Sequence, residues 1–292
     1  MRVELILFDA DDRCTSQRMH MMKDGYFDCE TDGIAEGQRY AFRLDGKEPR
    51  PDPSSRWQPD GIHRASAVFR PSTFEWSDGD WRGIRSEDLV ICDVHPATFS
   101  SEGTFDAIVP RLKSLRDHGS TAIAFVADSE TSRGHGWGYD GDYWFAVQET
   151  FGGPRGLQRL VDACHRSRLA AILAVNYTHF GPDGNCLNEF GPYFTDVHQT
   201  PSGSTINYDG PSCRAVRDLV LQNVHHWIQD FHFDGLRLEA VHAILDDSPT
   251  HILSEIGEVA AAVADRLRRP IHILNESWPH SEQALDASER GG

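Results

Sequence analysis

The first part of the chain, to about residue 70, alternates short apolar runs with turn signals. The runs are V-E-L-I-L-F, Y-F-D-C-E-T and R-Y-A-F-R-L, and D-D, D-G and E-G pairs separate them. Apolar and polar residues that alternate between Gly- or Asp-containing turns are typical of antiparallel strands. This segment is therefore predicted to form a small antiparallel β-sandwich.

A polar connector follows, rich in Pro, Ser and Asp from Pro51 to Pro71 and continuing to about Ser86. It contains Trp76 and Trp81, and large aromatic side chains are usually buried at least in part. The connector is therefore predicted to lie against the next domain. We place the sandwich and its linker in residues 1–86, and a second domain in residues 87–292.

From Asp88 the pattern changes to apolar strands that alternate with helical periodicity. The predicted strands are L-V-I-C-D-V-H, T-A-I-A-F-V, L-A-A-I-L-A-V-N-Y, F-D-G-L-R-L and P-I-H-I-L-N. The predicted helices begin at Thr104, near Pro154, at Ser212 and at Pro249. This alternation indicates an α/β domain with a parallel sheet. Since a complete (β/α)₈ TIM barrel takes about 250 residues, an incomplete barrel of five strands is expected.

Charge narrows the classes of partner. The chain has 45 Asp and Glu against 28 Lys and Arg, a formal net charge of -17. Nucleic acids and anionic membranes favour basic surfaces, so neither is an expected partner, whereas neutral sugars remain open. The N-terminus lacks the pattern of a signal peptide and no stretch has the length of a membrane span, which predicts a cytoplasmic location.

The six cysteines lie far apart and form no C-x-x-C pair. Their spacing supports neither a cysteine metal site nor a disulfide framework. They are expected to be buried, reduced thiols.

Polar side chains recur where the predicted strands end. In chain order these are Asp93 and His95, then Tyr139 and Asp140, then Tyr177, Thr178 and His179, then Arg237, Glu239 and His242, and finally Glu276. The C-terminal ends of barrel strands form the catalytic face of such enzymes. The sequence therefore predicts one site at that face.

Two carboxylates on neighbouring strands, Glu239 and Glu276, suit glycoside hydrolysis. A retaining enzyme uses one as the nucleophile and the other as the acid and then the base. Arg237 is expected to keep Glu239 ionised. A buried Arg237–Glu239 ion pair without a catalytic role is the alternative.

Aromatic and polar side chains complete the predicted site. Trp137 and Tyr139 offer flat faces for sugar rings, although they also suit a core. Asp140, His179 and His242 can hydrogen-bond sugar hydroxyls. For Asp140 and the neighbouring Asp142, solvation at the surface is favoured over cation binding.

The sequence resembles the alpha-amylase superfamily, glycoside hydrolase family 13, over nearly its whole length. The motifs that carry the resemblance are P-D-P-S-S-R-W-Q-P-D-G-I-H, W-G-Y-D-G, G-G-P-R-G-L, Y-T-H-F-G-P-D-G-N and G-L-R-L-E-A-V-H-A-I followed by D-D-S-P. The resemblance implies a carbohydrate-binding-like sandwich before a catalytic barrel, an α-glucan substrate and no cofactor. Within the family, the motifs are most similar to those of members that release trehalose from maltooligosyltrehalose with retention.

The resemblance also implies roles for individual residues. Glu239 stands at the position of the nucleophile and Arg237 at that of the arginine which holds it. Glu276 stands at the position of the acid/base, and the residues that match substrate-contacting positions are Tyr139, His179 and His242.

Three positions depart from the family pattern. Glu239 replaces an aspartate, and Ala174 and Thr178 replace an Asp and an Asn. Because misplacing a reacting group by about 1 Å can cost about a hundredfold in rate, low activity is expected. A silent α-glucan-binding protein and a branching enzyme are the alternatives, and an open barrel edge predicts self-association.

Overall fold

The computed structural model of the protein describes residues 1–126, 141–200 and 203–276. The strands are β1 Val3–Phe8, β2 Cys14–Arg18, β3 His20–Met21, β4 Phe27–Asp28, β5 Arg39–Leu44, β6 Ser66–Ala67, β7 Ile91–Val94, β8 Ala122–Val126, β9 Ala170–Val175, β10 Phe194–Thr200, β11 Gly203–Ile206, β12 Gly235–Leu238 and β13 His272–Asn275. The α-helices are α1 Pro96–Phe99, α2 Phe105–Ile108, α3 Leu112–Asp117, α4 Gly153–Arg166, α5 Leu187–Phe190, α6 Arg214–His225 and α7 Ile252–Leu267.

The N-terminal part forms a four-stranded sheet in the order β2-β1-β5-β6, with antiparallel pairing throughout. Strands β1 and β5 coincide with two of the predicted runs. Strand β2 was not predicted, because its residues are polar and mostly exposed. The predicted strand Y-F-D-C-E-T is reduced to β4, which pairs with β3 in a separate hairpin. The predicted antiparallel strand pairing in this part is therefore confirmed, with altered strands, whereas the domain boundary after residue 86 stays a prediction.

The connector packs against the barrel domain, as its tryptophans predict. The ring of Trp76 stacks on His232 with centroids 3.8 Å apart. Trp81 is buried, and its indole N–H donates to Asp234 at 2.7 Å. The connector is thus held by aromatic burial and by a hydrogen bond to the barrel.

The second sheet has five strands in the order β7-β8-β9-β12-β13, each parallel to its neighbour. Apart from the separate β10–β11 hairpin, each strand lies beside the next one in the chain, as in consecutive strands of a (β/α) barrel. Helices α4, α6 and α7 pack an apolar face against the core. Fully buried rings include Phe125, Phe231 and Phe233, each worth about 1.5–3 kcal/mol on transfer from water. The predicted parallel sheet of five strands, with the strand order of part of a (β/α) barrel, is confirmed in the described residues.

The helix predicted from Thr104 is interrupted. It consists of α2, a 3₁₀ turn at Val109–Arg111 and α3. Pro110 has no N–H to continue the α-helical hydrogen bonds, which explains the change of geometry. The predicted apolar face is still formed, because Phe105, Ile108 and Leu112 are all buried.

The loop between β9 and α6 contains a hairpin that was not predicted. Strands β10 and β11 pair antiparallel, with a register shift between Thr195 and Gln199. Their polar composition hides the strand pattern, although the intervening P-S-G is a turn signal.

All six cysteines lie in the described ranges and are free thiols. The prediction that they are buried is wrong except for Cys164. Cys14, for example, belongs to the exposed strand β2.

In the described ranges, none of the helices combines the length and the apolar character of a membrane span.

Candidate active site

Backbone hydrogen bonds fix the ends of three neighbouring strands against one another. The N–H of Glu239, just after β12, donates to the carbonyl of Val175 at the end of β9, at 2.9 Å. The N–H of Glu276 donates to the carbonyl of Leu238 at 2.9 Å. The two predicted catalytic carboxylates therefore follow adjacent strands at the C-terminal face.

The chain turns sharply after Glu239. Ala240 has a φ of 52°, in the left-handed region that non-glycine residues rarely adopt. A 3₁₀ turn at Val241–Ala243 follows, and the N–H of Val241 donates to the carbonyl of Glu276 at 3.1 Å. A backbone conformation of this kind costs about 1–3 kcal/mol and clusters at functional sites. The turn keeps Glu239 at the strand end instead of continuing the ladder.

Arg237 connects Glu239 to the first strand of the barrel. Its Nε donates to Glu239 Oε1 at 2.7 Å, and its Nη1 pairs with Asp93 on β7. The Glu239 side chain is only 6% exposed, whereas Asp93 lies at the surface. Asp93 was noted at a strand end but not assigned to the site. Its position on the same face as Arg237 was the available signal.

Register explains why Arg237 takes Asp93 as a partner. Arg237 pairs with Ala174 of β9, the residue that replaces an aspartate in the family pattern. A methyl group cannot accept a hydrogen bond, so the guanidinium finds its second carboxylate on β7.

The pKa of Glu239 is raised to about 7. Burial is the largest cause, followed by a hydrogen bond with Glu276, and Arg237 acts in the opposite direction. The expectation that Arg237 keeps Glu239 fully ionised is therefore wrong. One arginine does not offset the loss of water and the neighbouring carboxyl. Glu276 itself is exposed, so the two carboxyl groups differ in environment.

The two predicted substrate-binding histidines are both exposed. His179 follows β9, and its Nδ1 lies 2.8 Å from the Thr178 hydroxyl. That hydroxyl donates to Asn176 Oδ1 at 2.7 Å. His242 lies in the 3₁₀ turn after Glu239. Their roles in substrate binding stay predictions.

Trp137, Tyr139 and Asp140 lie outside the described residues, and their roles also stay predictions. Asp142 is described and is buried, at 4% exposure. The expectation that it is solvated at the surface is wrong, because the segment 141–147 packs into the domain.

Comparisons with solved structures place this fold in a known class. An alpha amylase structure from Salmonella typhimurium is 33% identical and superposes with a TM-score of 0.87, over 95% of this chain and 46% of that one. A pullulanase from Bacillus acidopullulyticus superposes with a TM-score of 0.80 over 95% of this chain and 39% of that one, and at 18% identity this likeness shows the fold alone. The chain belongs to the alpha-amylase superfamily.

Within that superfamily the sequence is similar to malto-oligosyltrehalose trehalohydrolases. The enzyme of Saccharolobus solfataricus is 45% identical over 80% of this chain and 42% of its own length, and that of Rhizobium sp. M-11 is 42% identical over 82% and 40%. A 1,4-alpha-glucan branching enzyme of Shewanella sp. MR-4 is 28% identical over 80% of this chain and 34% of its own length. The chain spans about two fifths of the length of the trehalohydrolases it matches. No protein-family model matches it.

Proposed function

We propose that the chain carries the catalytic carboxylates of a retaining glycosidase that acts on the α-1,4 bond next to the trehalose unit of maltooligosyltrehalose. Glu239 is the nucleophile and Glu276 is the acid/base. The observation that carries the proposal is the position of two carboxyl groups directly after the adjacent parallel strands β12 and β13, with Arg237 donating to Glu239. The substrate class comes from the similarity to trehalohydrolases.

The raised pKa of Glu239 fits the chemistry. Retaining hydrolysis needs one ionised and one protonated carboxyl in the same site. A pKa of about 7 for Glu239, raised by burial and by Glu276, means that Glu239 carries a proton in about half of the molecules at neutral pH. Moving that proton from Glu239 to Glu276 produces both active forms at once. The positive charge of Arg237, which lies beside Glu239, favours the ionised form of Glu239 in that state.

The reaction then balances in two steps. Glu239 attacks the anomeric carbon, and Glu276 gives its proton to the departing glycosidic oxygen, which releases trehalose. Glu276 next takes a proton from water, and the resulting hydroxide displaces Glu239 from the sugar with net retention. Trp137, Tyr139, Asp140, His179 and His242 are proposed to contact the sugar rings and hydroxyls.

Incubation of the chain with maltotriosyltrehalose tests the activity. Trehalose is expected as the product, and Glu239→Gln and Glu276→Gln should each lower its formation by about a hundredfold or more. Glu258→Gln is the matched control, because Glu258 is exposed on α7. No trehalose above the buffer level, or equal rates in all variants, would overturn the assignment.

A silent α-glucan-binding protein is the second candidate. Two observations favour it, the extra methylene of Glu239 and the alanine at position 174 beside Arg237. Calorimetric titration with maltooligosaccharides separates the candidates, because a binder gives heat without trehalose release. A branching enzyme would instead form branched product from a linear α-glucan.

We also infer that the chain self-associates through the outer strand β7. Within the described ranges β7 pairs on one side only, with β8. Ile91 on this strand and Val90 just before it are exposed, and an unpaired strand edge with apolar side chains favours pairing with another chain. Light scattering should show a dimer that Ile91→Lys weakens. A monomer at high protein concentration would contradict the inference. A cytoplasmic location likewise stays a prediction.

A further inference from the structure

Three side chains, one from the hairpin that follows β9 and two from separate loops, meet in one cluster. His198 lies on β10, Asp209 between β11 and α6, and Asp247 in the loop that leads from β12 to α7. One donor atom from each lies within 4.8 Å of the others. His198 Nε2 is 2.6 Å from Asp209 Oδ2 and 3.9 Å from Asp247 Oδ2. This His/Asp/Asp cluster lies outside the carboxyl pair described above.

Hydrogen bonds from Arg217 hold the chain next to both aspartates in place. The guanidinium of Arg217 donates to the carbonyl of Tyr208 at 2.9 Å and to Asp246 Oδ2 at 2.8 Å. These two residues directly precede Asp209 and Asp247 in the chain. In addition, the N–H of Asp247 donates to Asp209 Oδ2 at 2.8 Å. The relative position of the two aspartates is therefore set by contacts that do not involve the imidazole.

The second carboxylate oxygen of Asp209 has no hydrogen-bond partner among the described residues. The Asp209 side chain is 7% exposed, and its Oδ1 is buried with no hydrogen-bond donor among the described residues. A buried carboxylate oxygen without a donor costs about 1–3 kcal/mol, more when charged. Such an atom in a native structure calls for an explanation, and a bound ion is one.

We propose that His198, Asp209 and Asp247 bind a divalent transition-metal ion of the zinc type, which ties the β10–β11 hairpin to the loop after β12. Imidazole and carboxylate ligands suit this class of ion. The free Oδ1 of Asp209 gives that carboxylate a second oxygen for the ion.

The distances allow this coordination with small movements. Zinc binds nitrogen and carboxylate oxygen at about 2.0–2.2 Å, so two donors on one ion lie about 3–4.4 Å apart. The His198–Asp247 separation already falls in that range. The Asp247 side chain is 89% exposed and is free to rotate toward the ion. On binding, the metal takes the place of the proton between His198 Nε2 and Asp209 Oδ2, and that proton is released to solvent.

Titration of the whole chain with zinc chloride, followed by calorimetry, tests the proposal. The cysteines that solvent reaches are first alkylated with iodoacetamide in the folded protein, because accessible free thiols also bind zinc, whereas Cys164 is buried. One tight site is expected, and zinc should raise the melting temperature of the protein. His198→Ala and Asp247→Asn should each weaken that site by about tenfold or more and remove the rise in melting temperature.

His63→Ala is the matched control. His63 Nε2 lies 3.5 Å from Asp183 Oδ1 in an exposed pair. This variant should bind zinc as the unmodified chain does. The proposal is overturned if no tight site is found, or if the His198 and Asp247 variants, shown by circular dichroism to be folded, keep the affinity of the parent. Metal binding is read directly, so the result does not depend on glycosidase activity.

Discussion

The two ends of strand β12 carry buried carboxylates in opposite circumstances. At the N-terminal end, Asp234 precedes Gly235, and at the C-terminal end Glu239 follows Leu238. Asp234 accepts four hydrogen bonds, from the side chains of Trp81, His165 and Arg269 and from the N–H of Ala171. Burial alone would raise the pKa of Asp234, but the bonds from His165 and the nearby positive charges hold it below its ordinary value.

Glu239 has far fewer partners. Arg237 donates to one of its oxygens, and the neighbouring Glu276 is a like-charged group when ionised. Burial then dominates, and the pKa rises to about 7. The same strand thus holds one carboxylate whose charge is fully satisfied and one whose charge is not. In barrels the N-terminal face serves stability and the C-terminal face serves chemistry, and hydrogen-bond satisfaction is the physical difference between the two.

The largest effect is expected from Asp234→Asn. Removing this charge leaves Arg269 without its buried carboxylate and leaves His165 with Asp78 alone, which costs about 3–5 kcal/mol in the free energy of unfolding. Urea denaturation followed by circular dichroism measures it. Asp117→Asn, on the exposed face of α3, is the control and should change little. A loss no larger than that of the control would show that the Asp234 network does not support the fold.

The next largest effect concerns Glu239→Asp and the rate of trehalose release. The family pattern has an aspartate at this position, and the extra methylene displaces the carboxylate by about 1 Å. The shorter side chain is expected to raise the rate by about tenfold to a hundredfold. Initial rates on maltotriosyltrehalose measure it, with Glu258→Asp as the control. An unchanged or lower rate would mean that the chain positions a glutamate correctly.

A smaller effect is expected in the pH dependence of stability. The folded pKa of Glu239, about 7, lies above the ordinary value of about 4.3. The folded protein therefore holds this proton more tightly. The stabilisation that this proton gives the folded protein is fully present below the ordinary pKa. It is lost as the pH rises through about 7. Glu239→Gln removes the titration, so it should be more stable than the parent at pH 8, by on the order of 2 kcal/mol.

Urea denaturation of both proteins from pH 4 to pH 8 measures this difference. The difference isolates Glu239 from other titrating groups, such as His165. A constant difference across the range would show that the pKa of Glu239 is the same in the folded and unfolded states.

Sequence patterns predicted the strands well where apolar runs are continuous. Strands β1, β5 and β8 follow from V-E-L-I-L-F, R-Y-A-F-R-L and T-A-I-A-F-V. The sequence patterns did not predict β2 or the β10–β11 hairpin, where polar residues form strands because they pair with neighbouring strands. Tertiary context overrides local preference in such segments.

The candidate site likewise has features that the sequence predicted and features that it did not. The positions of Glu239 and Glu276 at adjacent strand ends follow from the order of the strands. The raised pKa of Glu239 does not, because it depends on burial and on Glu276. The contact between Arg237 and Asp93 joins residues 144 positions apart, which only the curvature of the sheet brings together.

The smallest effect is expected from Asp93→Ala, and it tests whether Asp93 competes with Glu239 for Arg237. Because Asp93 is largely exposed, the free energy of unfolding should fall by about 1 kcal/mol at most.

Loss of the Asp93 carboxylate leaves the Arg237 guanidinium to Glu239 alone and removes a nearby negative charge. Both changes favour the ionised Glu239, so its pKa should fall from about 7. To measure this, Asp93→Ala is compared with the double variant Asp93→Ala/Glu239→Gln. The pH at which half of their difference in the free energy of unfolding has developed should be lower than in the comparison of the parent with Glu239→Gln. Asp88→Ala removes another exposed carboxylate, paired with Arg85, and should leave the midpoint in place. If Asp93→Ala also leaves it unchanged, burial alone sets the proton affinity of Glu239, and the contact across the barrel mouth has no part in it.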